Sequence, residues 1–139
     1  MDDFLKPKII YSEIVREPQF YLDENCHFFP EATTFIINGT NLKPLLLLLN
    51  SKIISSIFKL YYAGGGLGEK GLRYKKAFIL NLRLPRINKT VAEQFNQYYK
   101  QLHDLDFKEI DQLSNEIDIF ISNLYGFTPA EKNHLLNTL

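Results

Sequence analysis

Hydrophobic positions along the chain change their period twice, and the changes divide it. Near the start, β-branched and aromatic residues gather in short runs bounded by turn residues: Lys8-Ile9-Ile10-Tyr11-Ser12-Glu13-Ile14-Val15 between Pro7 and Pro18, Phe20-Tyr21-Leu22, and Thr33-Thr34-Phe35-Ile36-Ile37 closed by Asn38-Gly39. Runs of this kind predict strands. Their close spacing predicts an antiparallel, meander-like sheet with an irregular segment over 23–32.

From Asn41 the pattern turns helical. Asn41 is a capping residue type, Pro44 suits a first turn, and Leu45 to Leu49 is apolar all round, as in a helix covered on every side. Asn50-Ser51 interrupts it, and Ile53, Ile54, Ile57, Phe58, Leu60 and Tyr61 then recur at helical spacing as far as Ala63. Gly64-Gly65-Gly66 stops that second helix and opens a glycine-rich stretch to Gly71. Ala77 to Leu82 is apolar and ends before Pro85, and its periodicity fits a strand and a short helix equally.

Three further helices are predicted by their first residues. Thr90-x-x-Glu93, Asp106-x-x-Glu109 and Thr128-x-x-Glu131 each place a capping oxygen three residues before a carboxylate. Val91, Phe95, Tyr99 and Leu102 share one face of the first helix; Ile110, Leu113, Ile117, Phe120, Ile121 and Leu124 share one face of the second. Gly126 suits the position after that second helix, and Pro129 suits the first turn of the third. The predicted class is α+β: a mixed small sheet with packed helices, followed by a C-terminal helical segment. Residues 1–88 form the first unit and 89–139 a helical appendix or spacer.

Composition adds one feature to this picture. The 139 residues balance 16 basic against 16 acidic side chains, yet residues 1–89 carry 13 Lys and Arg against 8 Asp and Glu, a net +5, and residues 90–139 carry 3 against 8, a net −5. Such a split points to a polyanionic partner for the first part. Its focus is Gly64 to Lys89, with Lys70, Arg73, Lys75, Lys76, Arg83, Arg86 and Lys89 against Glu69 alone. A solvated basic face without a partner gives the same count. No apolar run approaches the roughly 20 residues of a membrane span, so a cytoplasmic chain without membrane contact is expected. The single cysteine, Cys26, beside His27, gives too few ligands for zinc.

Catalytic motifs are missing. Gly66-Leu67-Gly68-Glu69-Lys70-Gly71 satisfies G-x-G-x-x-G, but a predicted helix precedes it where a dinucleotide fold needs a strand. Lys70 is followed by Gly71 and not by the Ser or Thr of a phosphate-gripping loop. Glycines let a backbone approach nucleic acid closely. Lys70, Lys75 and Lys76 are candidates for neutralising phosphates, and Arg73, whose planar fork matches two acceptors on a guanine edge, for reading a base.

The order of these features resembles a known family. Lys6-Pro7-Lys8-Ile9-Ile10-Tyr11-Ser12-Glu13-Ile14, then Leu49-Asn50-Ser51-Lys52, then the Gly64 to Lys76 loop, then Leu84-Pro85 looks like the TaqI-like C-terminal specificity domain of restriction-modification enzymes. Glu116-Ile117-Asp118 with Leu124-Tyr125-Gly126-Phe127-Thr128 is similar to the helical tail of these enzymes. At Arg86 the chain departs from the apolar-proline pair often found there. The resemblance implies a target-recognition domain that binds double-stranded DNA through Lys8, Tyr11, Arg16, Lys70, Arg73, Tyr74, Lys75 and Lys76.

It implies further that the chain is a fragment without catalysis or cofactor of its own. Its partner is an upstream methyltransferase domain of the parent chain, with Phe-x-Gly-x-Gly and Asn-Pro-Pro-Tyr motifs absent here. That parent methylates adenine with S-adenosylmethionine, and Mg joins it where the parent also acts as an endonuclease. The alternatives are a protein-interaction or oligomerisation module, or part of the specificity subunit of a multi-subunit restriction system.

Overall fold

The computed structural model describes residues 6–12, 14–15, 17–25, 34–62, 72–74 and 76–137. Strands β1 (Lys8–Ser12), β3 (Tyr21–Asp23) and β4 (Thr34–Ile37) form one antiparallel sheet in the order β3-β1-β4. A second ladder joins β2 (Ile14–Val15) to β5 (Leu72–Arg73). Helices follow at α1 (Leu42–Asn50), α2 (Lys52–Tyr62), α3 (Lys76–Asn81), α4 (Lys89–Leu102), α5 (Phe107–Tyr125) and α6 (Pro129–Leu136).

The α+β class holds, and the sheet is antiparallel, but the meander order does not. The first strand is central, flanked on both sides, because Lys8-Ile9-Ile10-Tyr11 is buried along its whole length. A strand covered on both faces reads as a continuous run and not as an alternation. Lys8 fits such a position through its cross-strand neighbour. The register sets Lys8 opposite Asp23, and Nζ donates to the Asp23 carboxylate at 3.0 Å with both residues buried.

Helices α1 and α2 form the middle of three layers. One side of α1, with Phe58 of α2, meets the sheet in a core of Ile9, Tyr11, Phe20, Leu22, Leu46, Leu49 and Tyr74. The other side, with Leu47, Leu48, Ile53 and Ile54, meets Phe95 of α4, Leu113, Ile117 and Ile121 of α5, and Leu135 of α6. The all-apolar run Leu45 to Leu49 is explained by this double coverage. The C-terminal helices thus lie against the N-terminal helices and share a core with them.

Local signals terminate most helices as expected. Asp106 accepts from the Glu109 N–H at 3.0 Å while the Glu109 carboxylate reaches back to the Asp106 N–H, and Thr128 and Glu131 repeat the arrangement. Gly126, at φ 73, takes the left-handed conformation that ends α5. Two expectations change. Helix α4 is capped by Asn88, whose side chain accepts from Val91 N–H at 2.8 Å, so it starts ahead of Thr90. Asn41 stands before α1 with φ 56 and makes no side-chain cap; it supplies the left-handed residue that asparagine tolerates. The segment left open, 77–82, is mostly helix α3.

Candidate nucleic-acid interface

The β2–β5 ladder brings together two parts of the chain that carry most of the proposed contacts. Ile14 pairs with Arg73 and Val15 with Leu72. Arg73 is therefore a strand residue paired with the segment that follows β1, and Lys76 opens α3 three residues later. A two-stranded ribbon has the dimensions to enter a DNA major groove. Arg16, Lys70 and Lys75, with the glycine-rich stretch over 64–71, lie outside the described residues.

Tyr74 fixes the end of this ribbon in the core. Its ring meets Phe20 edge-on at 4.9 Å and Phe58 at 4.5 Å, and only 3% of the residue is exposed. Burial pushes the phenol up to about 12, against a smaller opposing effect of the nearby Ser55 hydroxyl. Ser55 gives its own proton to the Ser51 carbonyl at 2.8 Å, and among the described residues the Tyr74 oxygen is buried without a hydrogen-bond partner.

Three of the residues expected to touch DNA are thus interior. Tyr74 is one. Tyr11 stacks on Phe35 at 5.6 Å and lies 5.3 Å from Phe20, a core position with its ring enclosed. Lys8 is completely buried and paired with Asp23, so its charge is not presented to a phosphate. The motif that holds Lys8 and Tyr11 is a strand whose residues serve the sheet.

Further exposed cations lie beyond the residues expected to touch DNA. Arg83 and Arg86 are exposed on the connection between α3 and α4, and Lys89 is exposed at the start of α4. Leu82, Leu84 and Ile87 alternate with them and pack inward, and the Tyr125 hydroxyl donates to the Arg83 carbonyl at 2.6 Å. Burial raises the Tyr125 phenol to about 12. This alternation, polar out and apolar in, was visible in Leu82-Arg83-Leu84-Pro85-Arg86-Ile87. Lys43 is differently engaged, 3.3 Å from Glu24 and 5.0 Å above the Tyr99 ring.

The leucine-rich helix ends in residues with defined tasks. Asn50 accepts from the Phe20 N–H and donates to the Phe20 carbonyl, both at 2.9 Å, continuing the hydrogen-bonding edge beside β3. Ser51 donates its hydroxyl proton to the Leu48 carbonyl at 2.6 Å and accepts from the Ile54 N–H at 3.1 Å, closing α1 and opening α2. The Asp118 carboxylate of α5 accepts from the Ile53 N–H at 3.2 Å. A groove of about 760 Å³ lies here, walled by Phe20, Asp23, Asn50, Tyr99, His103 and Asp118 among others.

Among the described residues no three His, Cys, Asp or Glu gather as a metal site, and no helix is long and apolar enough to cross a membrane. Fold and site together define a recognition module: a paired ribbon and a basic connection mounted on a layered α+β core. Residues 2–75 match the TaqI-like C-terminal specificity domain, more than half of the chain, and the chain belongs to that family. Its role is DNA recognition in restriction-modification systems. No curated protein matches the chain.

Proposed function

We propose that this chain reads double-stranded DNA for a parent enzyme that methylates adenine with S-adenosylmethionine, and that uses Mg where it also cleaves. The chain lacks Phe-x-Gly-x-Gly and Asn-Pro-Pro-Tyr, so the cofactor and the reaction belong to an upstream methyltransferase domain. The part of this chain is to hold the site in register while the target base is extruded from the duplex. The observation that carries the reading is the β2–β5 pairing, which joins the Ile14–Val15 and Leu72–Arg73 segments on one ribbon within the family match.

Arg73 and Arg16 are the proposed base readers, and Lys70, Lys75 and Lys76 the phosphate contacts. Arg83, Arg86 and Lys89 extend that basic run. Fluorescence anisotropy on duplex DNA across a salt series tests this: affinity should fall linearly in log-log form, with a slope reduced by about 2 in Lys75→Ala, Lys76→Ala. Affinity insensitive to salt and to that double change would refute it. One observation favours an added protein-docking role for the acidic helices: Phe107, 91% exposed, stands among Asp104, Asp106, Glu109 and Asp111.

A further inference from the structure

Of the acidic residues in 90–139, Asp118 alone is buried; Glu93, Asp104, Asp106, Glu109, Asp111, Glu116 and Glu131 are all exposed. It sits on α5, outside the family match, and its carboxylate reaches across the layers to the first turn of α2. The first N–H groups of a helix have no partner within it. Here Ser51 satisfies Ile54 and Asp118 satisfies Ile53. The cap of α2 is therefore half local and half tertiary.

Helix α2 in turn supports the ribbon. Phe58, in its middle, carries the Tyr74 ring at 4.5 Å, and Tyr74 directly follows β5, which pairs with β2. The other end of α2 leads, after Tyr62, into the basic glycine-rich stretch. Both chain segments on either side of that stretch thus depend on where α2 lies. We propose that Asp118 is a positioning residue for DNA recognition, acting through α2 on the β2–β5 ribbon. This rests on the DNA-reading function argued above, and it makes the helical layer part of the recognition unit.

The test uses the whole chain with Asp118→Ala, Asp118→Glu and Asp118→Asn, each titrated with labelled duplex DNA of mixed sequence over a salt series well below its melting temperature. Asparagine keeps the acceptor in place; glutamate keeps the charge and displaces the acceptor by a methylene. Asn should bind within about twofold of wild type, whereas Glu and Ala should bind about tenfold more weakly, because fewer molecules hold the ribbon in its competent position.

The salt slope should be the same in all four proteins, since the phosphate contacts of the competent state are unchanged. A merely structural carboxylate would lower the melting temperature and leave affinity among folded molecules untouched. Equal affinity in Glu and wild type overturns the proposal even if Ala does not fold. Wild-type protein without salt-sensitive binding overturns instead the DNA-reading function beneath it.

Discussion

Lys8 separates the interior reading of the first strand from the reading in which that strand touches DNA. Lys8→Met keeps most of the side-chain stem and removes the ammonium that stands 3.0 Å from the Asp23 carboxylate, a residue only 4% exposed. At an effective dielectric of about 20, that attraction is about 5.5 kcal/mol. Most of it offsets the desolvation of the two ions, so the pair itself contributes little net stability. What the single change reveals is the cost of a buried carboxylate that has lost this cation, and a loss of about 3–5 kcal/mol is expected.

With a urea dependence of about 2 kcal/mol per molar, the unfolding midpoint should fall by about 2 M. Lys8→Met with Asp23→Val removes both charges and should recover a large part of that loss, since no ion is left buried. Urea titration followed by far-ultraviolet circular dichroism measures both variants against wild type. A Lys8→Met variant with an unchanged midpoint, but weaker DNA binding and a shallower salt slope, would mean that the ammonium faces a phosphate. That result would refute the interior assignment.

Two other perturbations follow from the same geometry. Tyr74→Phe deletes a buried hydroxyl that has no hydrogen bond among the described residues; stability should stay level or rise by about 1 kcal/mol, and sequence preference on DNA should not relax, as it would if the hydroxyl read a base. Thr128→Ala should lower stability by about 1 kcal/mol through the lost cap of α6, read as a shift in urea midpoint. Its partner Glu131 is held below the usual carboxylate range by the Thr128 N–H and then by the Thr128 hydroxyl. The stabilisation from that lowered value is present above the ordinary glutamate pKa and is lost as pH falls through the folded one. The stability gap between wild type and Glu131→Gln should therefore be present at neutral pH and close in acid.

Features decided within a few residues were legible in the sequence. Asp106 with Glu109, Thr128 with Glu131, Gly126 and Pro129 mark helix ends through bonds that span at most four positions. The break at Asn50-Ser51 was legible for the same reason. Asn88 and Thr90 show the limit of this logic. Both are good caps, and the choice of Asn88 follows from Leu84 and Ile87 being drawn into the second core, which fixes where the chain enters α4. The middle-layer role of α1 was half legible: its uniform leucines announced coverage on all sides, while the identity of the covering helices needed the tertiary fold.

The site was harder to read because its chemistry depends on register. A lysine at the head of a strand in a basic half reads as a surface charge until Asp23 is known to stand opposite it, and that pairing is set by β1 and β3 fifteen positions apart. Tyr11 and Tyr74 share the ambiguity, since an aromatic beside a basic cluster serves equally as a base platform or as the anchor that keeps the cluster in place. The core decides for the anchor. Burying Tyr74 between Phe20 and Phe58 ties Arg73, the strand residue before it, to the same support. Recognition then depends on two different residue sets: arginines and lysines that would meet DNA, and enclosed aromatics, with Asp118 behind them, that fix where those cations stand. Charge counting finds the first set. The second has no signature in composition, because its members differ from ordinary core residues only in what they hold up.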